Sequence, residues 1–168
     1  MRVIKTYGKN FLPPDVASKG VEFIRRRFFE DWKVTRSEVN RDMLVERTNF
    51  VLFDNHEIIA WAGLGNDGEL ANGCVQSNLV GAGIFTRFIT EIYTNHKKDI
   101  LYVLIPVDDF RSAMTCWEAS KGCMTITKTI VEKEYSERII RLVRIDFATG
   151  QVYPTKEALR MQLTNLTK

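Results

Sequence analysis

The chain has 168 residues, 45% of them hydrophobic and 27% charged, the proportions of a globular domain long enough to bury a core. A formal net charge of +3 does not point to nucleic acid, and no run approaches the roughly 18 apolar residues of a membrane span. Cys74, Cys116 and Cys123 are scattered, and only two histidines are present. That set offers no metal-ligand spacing, and it suits free thiols in a reducing, cytoplasmic compartment with no secretory leader.

In chain order, residues 2–7 read as a strand. Pro13 and Pro14 open a helix whose apolar stripe is Val21, Ile24, Phe28 and Trp32. Arg25, Arg26 and Arg27 read as its solvated face. A second helix is expected over 36–46. TNFVLFD (48–54) and EIIAWAGL (57–64) form a hairpin through Asn55 and His56, and ELANGCVQ (69–76) is the next strand. From Gly83 the period becomes helical: Ile84, Phe85, Phe88, Ile89 and Ile92 share one face up to about Lys97. ILYVLIP (100–106) is an apolar run expected to be covered on both faces. Asp108 or Asp109 can cap the following helix, which Gly122 ends. MTITKTIVEK and RIIRLVRIDF are a last strand pair around Glu134–Glu137, and a tail helix is expected over 155–166. The expected architecture is an α/β (α+β) fold of order βααβββαβαββ, mainly antiparallel with one parallel crossover. It has one domain at 1–150 and a tail at 151–168.

The stretch VQSNLVGAGIFTRF (75–88) places Gly81 and Gly83 at the mouth of a helix, where each glycine costs about 1 kcal/mol relative to alanine. Either the loop must turn there, or backbone must approach something closely at a helix end that attracts negative charge.

With this loop, the element order resembles the GNAT superfamily of N-acetyltransferases over about residues 1–147. Val75, Gly81, Ala82, Gly83 and Ile84 match the family's glycine loop. Asp109, Ala113, Trp117 and Gly122 stand near its second motif, with one extra residue before the glycine. The resemblance implies that acetyl-coenzyme A lies with its pyrophosphate on the amides of Val80, Gly81, Ala82, Gly83, Ile84, Phe85 and Thr86, the Thr86 hydroxyl adding to them. Strand 69–76 would part from strand 100–106 to take the pantetheine arm. The thioester would then lie near Gly73, Cys74 and Val75, whose N–H groups can stabilise an oxyanion. An amine acceptor would lie against residues 13–46 and the last hairpin.

The chain departs from the family at three places. Val80 replaces a polar loop residue, and Phe85 replaces a small one. Trp117 stands at the usual catalytic tyrosine, and an indole has no proton to give at neutral pH. Tyr135 is another candidate acid. Glu69 is the best-placed carboxylate for deprotonating an amine, although it also reads as a solvated residue flanking a turn. Asp109 reads as a cap before a catalytic group, and Cys74 as a buried thiol before a nucleophile. Two functions follow. One is acyl transfer from acetyl-coenzyme A to an amine. The other is a GNAT-fold module without catalysis, such as a phage virion or assembly component. The tail helix would dock on its own domain or on a protein partner.

Overall fold

The computed structural model describes residues 1–147, 150 and 152–166. The elements, in order, are β1 (Arg2–Tyr7), α1 (Pro14–Trp32), α2 (Arg41–Val45), β2 (Thr48–Asp54), β3 (Glu57–Leu64), β4 (Leu70–Val75), α3 (Ile84–His96), β5 (Tyr102–Pro106), α4 (Phe110–Ser120), β6 (Met124–Glu134), β7 (Ile139–Phe147) and α5 (Lys156–Leu166). This is the expected order, and the mixed α/β architecture with mainly antiparallel strands is the one anticipated. The boundary expected at 150–151 falls where residue 151 lies outside the described residues.

The strands form two sheets, β1-β2-β3-β4 and β5-β7-β6, with antiparallel pairing throughout. The parallel crossover β4–α3–β5 is present, but β4 and β5 meet through a single bridge, Glu69 to Tyr102. The β2–β3 hairpin turns on Asn55 and His56, both at positive φ (49° and 74°), which suits the right-handed twist of its strands.

One face of the first sheet packs on α1 and α2, burying Ile24, Phe28, Leu44, Val51 and Trp61. The other face, with the second sheet, α3, α4 and α5, encloses Phe50, Ile59, Phe88, Ile92, Ile105, Met124 and Ile145. Leu159 and Leu163 of α5 are buried in that second core, so the apolar face of the tail helix is packed on its own chain.

Three local expectations need correction. The second helix is only Arg41–Val45, because Asn40 caps it by accepting from the Met43 N–H (2.9 Å) and the residues before it run irregularly. In β5 only Val103 and Ile105 are buried, since the other face of that strand borders a cavity. The arginine triplet is a solvated face only in part, since Arg25 and Arg26 are exposed and Arg27 is not. Arg27 is 3% exposed, and Arg25 bonds the Val39 (2.8 Å) and Ser37 (3.1 Å) carbonyls.

Candidate active site

A wedge opens between β4 and β5, and its cause lies in β4. Residues Ala60 and Trp61 pair with Val75 and Cys74, but Gly63 pairs with Ala71, so β4 carries an extra residue around Asn72–Gly73. Asn72 takes up the bulge at φ 59°, a conformation that asparagine tolerates better than most residues. The bulge bends β4 away from β5. At the closed end, the Leu101 N–H bonds the Gly68 carbonyl (2.9 Å) and the Tyr102 hydroxyl donates to Asp67 Oδ2 (2.6 Å). That bond holds the Asp67 carboxyl below its usual range and pushes Tyr102 up to about 12.

The wedge runs into a trough bordered by Gly73, Cys74, Val75, Val80, Gly81, Gly83, Phe85, Thr86, Asp109, Ser112 and Thr115. Its volume, about 1070 Å³, is at the upper end of the range for sites that bury extended small molecules. Gly81 and Gly83 adopt φ 85° and 79°, and an added Cβ at either would meet no atom within 4 Å. Both readings of these glycines therefore hold: the backbone turns left-handed, and the space outside it is open. Gly83 caps α3 with no side-chain hydrogen bond, which leaves first-turn amides without an intrahelical acceptor at the mouth of the trough. Arg27, Arg111, Arg138 and Arg141 line the same trough together with Glu30, Asp31, Asp108 and Asp109, so the loop amides rather than net side-chain charge make it an anion cradle. This cradle fits a diphosphate.

Other expected site residues are placed less simply. Phe85 is half-buried and packs against the core, yet it also borders the wedge. Its ring lies against Gly73, where an added Cβ would stand 3.2 Å from Cζ, and it narrows the wedge without closing it. The Thr86 hydroxyl is shared with Thr115 (3.1 Å), tying α3 to α4. Ala82 and Ile84 belong to the loop and the first turn, with Ile84 anchored in the core. Asp109 caps α4, accepting from the Ser112 N–H (3.0 Å) and hydroxyl (2.6 Å). Trp117 is not brought to the wedge. Its Nε1 donates to the Tyr153 carbonyl (2.8 Å) on the far side of α4. The side of α4 facing the wedge carries Asp109, Ser112, Thr115 and Cys116 instead.

Beyond the wedge lies a cavity of about 220 Å³ bordered by β4, β5, the α1–α2 segment and the last hairpin. Glu69 lines it, as do Arg36, Glu38, Arg47, Asn72 and Tyr135. Burial alone would raise the Glu38 carboxyl, but the hydrogen bond and charge of Arg36 hold it below its usual range. Burial pushes the thiols of Cys74 and Cys116 up to about 12, so neither is a thiolate at neutral pH. Arg27, Arg36 and Arg47 escaped the sequence reading. For Arg27 a signal existed, since it lies three residues after Ile24 and one before Phe28, on the buried stripe. Arg36 and Arg47 sit in irregular or boundary segments, where periodicity says nothing.

A sheet parted into two halves, with a glycine loop and a helix end at the opening, is the architecture of the GNAT fold. The chain is similar to an acyl-CoA N-acyltransferase from Pseudomonas aeruginosa (TM-score 0.69, 11% identity, 88% of this chain and 100% of that one). It is also similar to ElaA from Escherichia coli (0.64, 12%, 86% and 99%) and to an N-acetyltransferase from Staphylococcus aureus Mu50 (0.61, 16%, 88% and 97%). No protein-family model matches the sequence, and no curated protein does. No helix among the described residues is long and apolar enough to cross a membrane.

Proposed function

We propose that this chain is an N-acyltransferase that moves an acetyl or related acyl group from acetyl-coenzyme A to an amine. The observation that carries the reading is the open wedge between β4 and β5, with an uncapped helix N-terminus and two left-handed glycines at its mouth. The loop amides of residues 81–86 would hold the pyrophosphate. Val75 pairs opposite Ala60 while the Gln76 N–H bonds the Ile59 carbonyl, so by the alternation of an antiparallel ladder Val75 turns its backbone groups to the open edge. Its N–H there would meet the acyl oxygen as charge develops. The acceptor amine, neutral only after losing a proton, would pass that proton towards Glu69, directly or through water.

One observation favours a second reading, a binding module without catalysis. The wedge face of α4 offers a hydroxyl bound to Asp109, a hydroxyl shared with Thr86, and a thiol too weak an acid to protonate a departing thiolate. A thermal-shift titration with acetyl-coenzyme A tests the shared premise. Ligand at 100 times its Kd adds about 2.7 kcal/mol, several degrees for a domain of this size. No shift overturns both readings. A shift that Gly83→Glu abolishes, accompanied by thiol release with an amine, establishes the enzyme. The same shift without thiol release over a broad amine panel establishes the module.

A further inference from the structure

Among the described residues, two buried side-chain polar atoms lack a hydrogen-bond partner: Nη1 of Arg47 and the hydroxyl of Tyr135. They come from the start of β2 and from the last hairpin, yet both residues line the same cavity beyond the wedge. Native structures rarely leave such groups unpaired, so a ligand that supplies the missing acceptors explains both at once.

The charges around the cavity indicate what kind of acceptor. Arg27 is neutralised by Glu30 (3.2 Å) and Asp31 (2.8 Å), and Arg36 by Glu38 (2.7 Å). Arg36 also donates to Asn72 Oδ1 (3.2 Å), and both residues line the same cavity. Among the described residues, no carboxylate forms an ion pair with Arg47. It stands near Asp67, whose carboxylate already accepts from the Tyr102 hydroxyl and the Glu69 N–H. A guanidinium with no carboxylate in direct contact and a buried free N–H calls for an anionic oxygen, the more distant charge of Asp67 notwithstanding. At about 30 Å³ per water, a cavity of about 220 Å³ has room for roughly seven waters, a volume on the scale of a single amino acid.

We propose that this cavity binds an amino-acid-like acceptor whose carboxylate oxygens are taken by Arg47 and Tyr135 while its amine faces Glu69 and the wedge. The inference rests on the acyltransferase reading for the fate of the amine, though not for the anion subsite itself. Arg47 and Tyr135 are specificity residues here, since they hold the end of the substrate that does not react.

The test uses matched probes: lysine against cadaverine, and phenylalanine against phenethylamine. Each is added to the full chain, with and without acetyl-coenzyme A, and followed by melting temperature and by thiol release. The amino acid of at least one pair should raise the melting temperature, and where turnover occurs it should have the lower KM. Tyr135→Phe and Arg47→Lys should weaken that preference by roughly 10-fold or more, the scale of a hydrogen bond to a charged group, without changing the shift given by acetyl-coenzyme A. Tyr135→Phe removes a hydroxyl with no protein partner, so its apo melting temperature should not fall. If Arg47→Lys does not fold, Tyr135→Phe alone decides. Decarboxylated probes that bind as well as the amino acids overturn the proposal, as does a panel in which no amino acid binds or a preference untouched by Tyr135→Phe. Loss of the acetyl-coenzyme A shift with the amino-acid shift retained overturns the acyltransferase reading and leaves the subsite standing.

Discussion

Arg27 reaches from the middle of α1 to the last residue of β4, where its Nε donates to the carbonyl of Val75. That carbonyl lies just where β4 leaves the sheet, and an arginine fills the place a partner strand would take. Its guanidinium is 3% exposed, but Glu30 and Asp31, which pair with it, are 42% and 56% exposed. Arg27→Met would therefore leave two solvated carboxylates and one stranded carbonyl rather than a bare buried charge. A loss of about 2 kcal/mol is expected, the scale of a hydrogen bond to a charged group. In a domain of this size that lowers the melting temperature by roughly 4–8 °C. Urea unfolding checks the free energy, and a loss below about 0.5 kcal/mol would show that the bond contributes nothing to the parted edge.

The left-handed glycines divide into two kinds. Gly81 and Gly83 have open space where a Cβ would stand, so alanine at either adds only the strain of positive φ, about 1–2 kcal/mol. Gly68 shares the conformation (φ 89°), but its Cβ would sit 2.6 Å from Cγ of Leu101. Gly68→Ala therefore adds overpacking, about 1–3 kcal/mol, to the same strain and should be the least stable of the three. Binding should rank them the other way. Gly81→Ala and Gly83→Ala should weaken acetyl-coenzyme A more than their stability losses explain, because the methyl occupies the phosphate's approach. Chemical unfolding and ligand titration on the three variants check both orders.

Gly20 sits inside α1, where replacement by alanine would ordinarily gain about 1 kcal/mol of helix propensity. Its Cβ would instead stand 2.5 Å from the Trp61 ring. That ring is fully buried and anchored by Nε1 donating to Asn49 Oδ1 (3.1 Å). Gly20→Ala should therefore destabilise, by roughly 1–3 kcal/mol, and a gain in melting temperature would show that the indole shifts freely.

Such contacts mark the limit of what the sequence could reveal. Periodicity and turn chemistry located every strand and α-helix, though the second helix proved about half its expected length, because helix stripes such as Ile84–Phe88–Ile92 and turns such as Asn55–His56 are local signals. The Asp109 cap and the Gly81–Gly83 loop were legible for the same reason. The bulge at Asn72 was not, since nothing local distinguishes an asparagine that leaves the β region from one that stays in it. The cavity beyond the wedge was legible only in part. Glu69 and Tyr135 were candidates by position, but Arg36, Arg47 and Asn72 meet there through tertiary packing alone. Trp117 misled because a motif offset counted from Ala113 says nothing of which side of the helix meets the wedge, and α4 turns Cys116, not Trp117, towards it.

The pH dependence of stability has two limbs. Cys74 and Cys116 are raised to about 12 by burial, and Tyr102 to about 12 by the hydrogen bond it gives Asp67. Groups that hold their protons longer when folded leave stability intact below their unfolded pKa values, near 8.5 for a thiol and 10 for a phenol. They withdraw it as pH climbs from there towards 12. Asp67 and Glu38 are held low, so their contribution is present above about pH 4 and lost as pH falls through their folded values. Urea midpoints should thus be flat between about pH 5 and 8 and fall on both sides. At pH 8, iodoacetamide should label the exposed Cys123 in the native protein and reach Cys74 and Cys116 only on unfolding. Rapid labelling of all three native thiols would contradict the burial.

Trp117→Tyr restores the family's tyrosine at the aligned position but not in space. The indole Nε1 donates to the Tyr153 carbonyl, and Lys156 of α5 stands 5.8 Å from its ring centroid, so a tyrosine there would point at the tail segment. Thiol release should be no faster than in the parent chain, because no new proton reaches the departing thiolate. Trp117→Phe, which loses the donor and strands the Tyr153 carbonyl, should cost about 1 kcal/mol of stability. The two variants separate position from chemistry. A rise in rate of 10²-fold or more for Trp117→Tyr, the lower scale of general acid catalysis, would mean that α4 presents residue 117 to the wedge during turnover, contrary to the packing of this helix. An unchanged rate beside a measurable loss for Trp117→Phe would fix Trp117 as the clamp between α4 and the tail, and would leave the proton to water.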